Sequence, residues 1–141
     1  MSELWFSLAS YLAMAGWAIL IAGIVLKRPL LRDAVAGRYL PLALSAGYTV
    51  LILAFWWQGE GGFGSLANVQ QLFTSPWLAL AGWVHFLAFD LFIGALMARR
   101  MMEAGLSRLL LIPVLPLAFL FGPAGFLLAQ AFLFTREGQT A

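Results

Sequence analysis

Four apolar stretches of about 20 residues dominate this sequence and leave little chain for anything else. A helix needs about 20 apolar residues to cross the ~30 Å hydrocarbon core of a bilayer. Charged residues make up 10% of the chain and apolar residues 63%, against about 25% and 45–50% in soluble domains. The sequence therefore predicts an all-α integral membrane protein, a bundle of four transmembrane helices that forms a single domain over residues 1–141. The predicted helices cover residues 4–26, 39–57, 77–98 and 109–134.

The cationic side chains predict the orientation of the bundle. Seven of the eight lie in the first and third connections between the apolar stretches, and the second connection has none. Cytoplasmic loops of membrane proteins carry an excess of Lys and Arg, so we expect the first and third connections in the cytoplasm and both termini outside. The eight cations are Lys27, Arg28, Arg32, Arg38, Arg99, Arg100 and Arg108, with Arg136 near the C-terminus.

The second connection opens with glycines and then predicts a short helix. Ser65 is typical of a helix N-cap, and Leu66, Val69, Leu72 and Phe73 recur at the spacing of one helical face. We expect a short interfacial or re-entrant helix between helices two and three. It either seals the outer end of the bundle or covers a pocket that is open to lipid.

Helix three contains the one histidine of the sequence, His85, and the one acid inside an apolar stretch, Asp90. Ionisable side chains inside a membrane are costly, and their default interpretation is a functional one. Five residues at ~100° each place the two side chains about 140° apart around the helix, so no direct ion pair is expected. Gln130, Tyr48 or Tyr11 can link them in a network. The structural alternative is that each residue only ties helices together by hydrogen bonds.

No metal site is expected from these residue types. One histidine, no cysteine and a single nearby carboxylate fall short of the three protein ligands that a catalytic zinc site uses.

Helix four contains three prolines, Pro113, Pro116 and Pro123, each of which removes a backbone donor. The Gly-Pro-Ala-Gly run that starts at Gly122 predicts a kink with little side-chain bulk around it. A neighbouring helix or a flat apolar ligand can approach such a surface closely. Gln130 is the strongly polar residue in the second half of this helix and a candidate partner for helix three.

Residues 82–94 read Gly-Trp-Val-His-Phe-Leu-Ala-Phe-Asp-Leu-Phe-Ile-Gly. This segment closely resembles the signature of the abscisic-acid-deficient-four-like membrane proteins, the family of plant neoxanthin synthase. The Phe-Gly-Ser-Leu run at residues 63–66 resembles the second loop of that family, and residues 116–128 resemble its last helix. The resemblance covers about residues 60–130, and the first 58 residues match in hydropathy.

The resemblance implies a membrane protein that handles a carotenoid. In plants the family is tied to the conversion of violaxanthin into neoxanthin, in which an epoxide opens to an allenic alcohol without net oxidation. Such an isomerisation needs an acid and a base but no cofactor. On this hypothesis Asp90 is the acid and His85 is the base. The residues expected to contact the carotenoid are Trp83, Phe86, Phe89, Phe92, Gly94, Gly122, Pro123 and Gln130.

Three functions stay open at this point. The first is an isomerase that acts on a xanthophyll or another carotenoid, and the second is a non-enzymatic carotenoid-binding or assembly subunit of a membrane pigment complex. The third is a proton-coupled transporter, although no internal repeat of the kind that carriers use is visible.

The expected partners are a carotenoid or another apolar isoprenoid and membrane lipid, with self-association or a larger membrane complex allowed and no nucleic acid. The N-terminus lacks the basic region and cleavage site of a secretory signal, and no plastid transit segment is evident. We therefore expect a multi-pass protein of the bacterial inner membrane.

Overall fold

The computed structural model describes residues 1–140 of this chain, and within them it contains six α-helices and no strand. A π-helical segment, Leu30–Tyr39, continues directly into the second α-helix. The prediction of an all-helical fold is confirmed. The helices are α1 (Ser2–Val25), α2 (Leu40–Phe55), α3 (Leu66–Leu72), α4 (Pro76–Glu103), α5 (Leu111–Leu120) and α6 (Gly122–Thr140).

Three helical stretches are long and apolar enough to cross a membrane: Ser2–Val25, Leu30–Gln58 and Pro76–Glu103. They contain most of the first three predicted stretches, and α4 continues past the predicted end at residue 98 to Glu103. The protein is therefore a helical membrane protein with three clear candidate spans among its described residues.

The fourth predicted helix, residues 109–134, is divided into two. The helix is interrupted at Phe121, whose backbone angles (φ −143°, ψ 68°) lie outside the helical region. The helix α5 ends before this residue and α6 begins after it. Pro123 falls in the first turn of α6, where a helix needs no amide donor, so the proline begins a new helix instead of kinking the old one.

The helices α5 and α6 fold back on each other as a hairpin. A Cβ at Gly125 of α6 would lie 2.6 Å from the Cα of Ala118 in α5. At the other end of α6, an Arg136 guanidinium nitrogen lies 3.8 Å from the Cβ position of Gly105, which precedes α5. Fourteen residues of helix span about 21 Å, so Arg136 reaches Gly105 because α6 runs back towards the start of α5. The geometry therefore does not support a fourth crossing or a C-terminus on the side of the N-terminus.

The first connection differs from the predicted loop because most of it is helical. The π-helical segment packs directly on α1, where a Cβ at Gly23 would lie 2.6 Å from the backbone nitrogen of Arg32. The Arg32 guanidinium donates two hydrogen bonds to the Asp33 carboxylate, at 2.6 and 2.7 Å. The close backbone approach packs this segment on α1, and a hydrogen bond from Arg32 to the sulfur of Met102 at 3.2 Å ties it to α4.

The predicted short helix of the second connection is confirmed as α3. The Ser65 hydroxyl accepts a hydrogen bond from the backbone nitrogen of Asn68 at 3.2 Å, as an N-cap does. Leu72 is buried, and the ring of Phe73 packs against Gly82 of α4. We call this end of the bundle the α3 end, and the opposite end, which contains the first and third connections, the cationic end.

The helix α4 lies at the centre of the bundle and contacts α1, α2, α5 and α6. Its half towards the cationic end packs with α1 and the hairpin around Trp17, Leu91 and Val114. Its half towards the α3 end packs with α1 and α2 around Leu44 and Val84. The helix that contains both candidate ionisable residues is thus surrounded by four others, with α2 on one side and the α5–α6 hairpin on another.

Candidate functional site

His85 lies in a groove between α2, α3 and α4, which we call the His85 groove. Its ring meets the ring of Tyr48 edge-on, with centroids 5.5 Å apart, and lies 4.9 Å from the ring of Phe89. The groove has a volume of about 320 Å³. Its lining residues are Tyr48, Ile52, Trp56, Phe63, Leu72, Phe73, Leu78, Gly82, His85 and Phe86.

The His85 groove has apolar walls and few polar groups. These are the His85 imidazole, the Tyr48 hydroxyl and the Trp56 indole. Among the described residues, neither the imidazole nor the Tyr48 hydroxyl makes a hydrogen bond to another group. Both can therefore interact with a ligand, and a groove of this kind suits a mostly apolar molecule with one polar end.

Asp90 faces the other side of α4, at the tip of the α5–α6 hairpin. An oxygen of its carboxylate occupies the space that a Cβ at Gly122 would need, so a larger residue at position 122 would displace the carboxylate. Gly122 is the first residue of α6, and the dipole of a helix favours a carboxylate near its N-terminus. Asp90 makes no hydrogen bond or ion pair with the residues that the structure describes.

The structure does not bring His85 and Asp90 together. They lie on different faces of α4, as their spacing predicts, and about 7.5 Å apart along the helix axis. Asp90 is outside the lining of the His85 groove. No hydrogen bond joins Gln130, Tyr48 or Tyr11 to either side chain. Among the side chains that the structure describes, no three His, Cys, Asp or Glu residues cluster as metal ligands do.

The four aromatic residues expected to contact a carotenoid lie in three different parts of the structure. Phe86 lines the His85 groove, while Phe89 and Phe92 line a second groove between α2 and α4, nearer the cationic end. Trp83 faces α1, where its indole donates a hydrogen bond to the Ser10 hydroxyl at 3.0 Å. Three of the four therefore lie on the α2 side of α4, and Trp83 has a partner of its own.

The other expected contact residues lie away from the His85 groove. Gly94 is buried beneath the indole of Trp17, where a Cβ would come within 2.5 Å of the ring. Gly122 adjoins Asp90, Pro123 is exposed, and Gln130 is partly buried on α6. The structure thus places these residues in or beside the packing of the hairpin and α1 against α4.

Sequence reasoning named Leu72 and Phe73 on the face of a short helix that seals the bundle or covers a pocket, but it missed the α2 residues that complete the groove. The sequence suggests Tyr48 as a link between His85 and Asp90, whereas its ring contacts His85 and it makes no hydrogen bond to Asp90. The signal was present, because Tyr48, Ile52 and Trp56 recur every four residues and so share one face of a helix. Which face of α4 this stripe would meet could not be read from α2 itself.

The elements that build the groove also lie within a match to a known family. A family model described as ABA4-like, ABA DEFICIENT 4-like, matches residues 4–128. The chain belongs to the ABA DEFICIENT 4-like family. The match confirms the resemblance seen in residues 60–130 and extends it to α1 and α2. No curated protein and no solved structure matches the chain.

The residues that match the ABA DEFICIENT 4-like family model include His85, Tyr48, Asp90 and the tip of the hairpin. Membership and the three apolar helices indicate a membrane protein related to neoxanthin synthases. They give no support to the bacterial inner membrane as its location.

Proposed function

We propose that this protein is a cofactor-independent carotenoid isomerase of the neoxanthin-synthase kind and that the His85 groove holds the reacting end of the carotenoid. The observation that carries the proposal is the contact of His85 with Tyr48 in an apolar groove of a chain from this family. The groove walls suit a polyene and its end ring, and the two polar side chains can transfer protons.

The proposed rearrangement moves one proton and breaks one C–O bond. His85 takes the vinylic proton from the carbon next to the epoxide, and the C–H electron pair becomes the second double bond of the allene. The C–O bond at the adjacent epoxide carbon breaks, and the oxygen becomes a hydroxyl by taking a proton from Tyr48. The His85 imidazolium then gives up its proton to water and the Tyr48 phenolate takes one back, so the product is an isomer of the substrate and the protein is unchanged.

Conversion of an epoxide-containing xanthophyll by the purified protein in mild detergent tests this proposal. We expect a product with the mass of the substrate but a different retention time and absorption spectrum, formed without an added metal, flavin or nicotinamide. The alternative function, a pigment-binding or assembly subunit, predicts a carotenoid that co-purifies in stoichiometric amount and stays unaltered. Absence of any bound isoprenoid after purification from a carotenoid-producing host would contradict both.

Asp90 is the rival proton donor, and Asp90→Asn tests its role. From its place at the hairpin tip it reaches only a ligand held between α4 and the hairpin, whereas a structural role beside the first turn of α6 needs no ligand. Asparagine keeps the size and dipole of the side chain but transfers no proton. We expect the variant to stay within about threefold of the wild-type rate, whereas loss of general acid catalysis costs about 100-fold or more. A loss of that size in a folded variant would move the acid role from Tyr48 to Asp90.

We also propose a topology of three crossings and one re-entrant hairpin, with the N-terminus outside and the C-terminus in the cytoplasm. The ten residues of α5 span about 15 Å, half of the ~30 Å core. With Arg136 close to Gly105, all eight cations lie at the cationic end. This distribution satisfies the positive-inside rule without exception.

Single cysteines in this cysteine-free chain test the topology. Gly62 and Gly138 have nothing within 4 Å of a Cβ, so cysteine is tolerated at both. We expect a membrane-impermeant maleimide to label Gly62→Cys from outside and to label Gly138→Cys after permeabilisation alone. Labelling of Gly138→Cys in intact cells or vesicles would instead establish a fourth crossing.

A further inference from the structure

We infer that the ligand site extends along the α2–α4 face from the His85 groove to the cationic end, where Arg38 binds a polar group on the second end ring of the carotenoid. The inference rests on the proposed function and deepens it, because it names what the unreacting half of the ligand contacts and makes Arg38 a specificity-determining residue.

A second groove lies between α2 and α4 on the cationic side of the His85 groove. It has a volume of about 390 Å³, and we call it the Arg38 groove. Arg38 is at its end towards the first connection, and the rest of its lining is largely apolar. Its lining residues include Arg38 of the π-helical segment, Pro41 and Ser45 of α2, and Ala88, Phe89 and Phe92 of α4.

The two grooves meet at Phe89. This residue lines the Arg38 groove, and its ring lies 4.9 Å from the ring of His85 in the other groove. On α2, Ser45 of one groove and Tyr48 of the other are three residues apart and therefore adjacent on one helical face. The grooves consequently form a single track on the α2–α4 face.

The length of the track selects the kind of molecule that fills it. From Arg38 to Trp56 the chain advances eighteen residues, or about 27 Å of helix, which is close to the ~30 Å thickness of the hydrocarbon core. A carotenoid with two end rings is a stiff rod of comparable length. A phospholipid occupies one leaflet and would leave half of the track empty, so the observations favour the carotenoid.

Arg38 has the chemistry to bind the far ring. Nearby cations are engaged: Arg32 is paired with Asp33, and Arg99 lies 3.8 Å from Glu103. Arg38 is exposed and forms no ion pair or hydrogen bond with the residues that the structure describes. A guanidinium donates hydrogen bonds to a hydroxyl or epoxide oxygen. A hydrogen bond to a charged group corresponds to about 10- to 100-fold in affinity.

The test measures binding of three C40 pigments to the full chain in lipid nanodiscs: a carotenoid hydroxylated on both rings, one hydroxylated on a single ring, and the unhydroxylated hydrocarbon. We expect the wild type to bind the doubly hydroxylated pigment about 10-fold or more tighter than the singly hydroxylated one. Arg38→Leu should remove this preference and leave binding of the singly hydroxylated pigment unchanged, which also shows that the variant is folded. Arg100→Leu removes the same charge from an exposed site outside both grooves and should keep the preference.

Each other result overturns the inference in a recognisable way. If Arg38→Leu keeps the wild-type preference, Arg38 does not contact the second ring, and the proposed function is unaffected. If Arg38→Leu loses bound anionic phospholipid and keeps the pigment preference, the Arg38 groove is a lipid site. If the wild type binds none of the three pigments, the proposed function fails together with the inference.

Discussion

Replacing His85 with asparagine is expected to lower the rate of carotenoid conversion by about 100- to 10,000-fold, the contribution typical of general acid–base catalysis. Asparagine retains a polar side chain that fits beside Tyr48 and Phe89, but it cannot accept a proton from carbon. The bound pigment should therefore remain. The measurement is single-turnover conversion of an epoxide-containing xanthophyll, with pigment content determined on the same sample by absorbance.

The control for His85→Asn is Thr49→Val. Thr49 adjoins Tyr48 in sequence, is exposed, and donates its hydroxyl hydrogen to the Ser45 carbonyl at 2.8 Å. It lies outside the lining of both grooves, so its loss should leave the rate unchanged. An unchanged rate in His85→Asn would contradict the role of His85 as the base. Loss of the pigment along with the rate would favour the pigment-binding function.

Replacing Gly125 with alanine is expected to lower the free energy of unfolding by about 1–3 kcal/mol, the usual cost of overpacking. The added methyl group meets the backbone of Ala118, with its Cα at 2.6 Å. A backbone atom cannot rotate away as a side chain does, so α5 and α6 must separate. The measurement is unfolding of the purified protein in mixed micelles, followed by tryptophan fluorescence or helical circular dichroism.

Gly47→Ala is the matched control for Gly125→Ala. Gly47 lies inside α2 with nothing within 4 Å of a Cβ. Alanine in such a helix interior is favoured over glycine by about 0.5–1 kcal/mol, so this variant should be as stable as the wild type or more stable. Equal stability of Gly125→Ala and Gly47→Ala would show that α5 and α6 are not in close contact at Gly125.

The hairpin explains why a carboxylate is found at the tip of the broken segment. Backbone that is not helical is tolerated at membrane depth where protein surrounds it. At the hairpin tip, Asp90 of α4 contacts Gly122. Nearby, the ring of Phe119 packs edge-on against the ring of Trp17 of α1. His85 and Asp90 of α4 thus have different neighbours: His85 faces a ligand groove, and Asp90 faces the tip of the α5–α6 hairpin.

The properties that depend on local chemistry could be predicted from the sequence. The apolar stretches of bilayer length follow from hydropathy, and the cap at Ser65 follows from side-chain hydrogen bonding. The angle between His85 and Asp90 follows from the helical repeat. All three depend on residues that are neighbours in the chain. Recognition of the family rested on a contiguous segment around His85 and was correct for the same reason.

Which neighbours each residue meets depends on how the helices pack, and this could not be predicted from the sequence. Tyr48 reaches His85 because α2 packs on that face of α4, and Gly122 reaches Asp90 because α6 turns back instead of crossing. A glycine-proline pair is compatible with a kink, a break or a reversal, and the choice depends on how closely Gly125 can approach Ala118. Such choices are made by packing between segments far apart in the chain, and the sequence pattern of a single helix does not contain them.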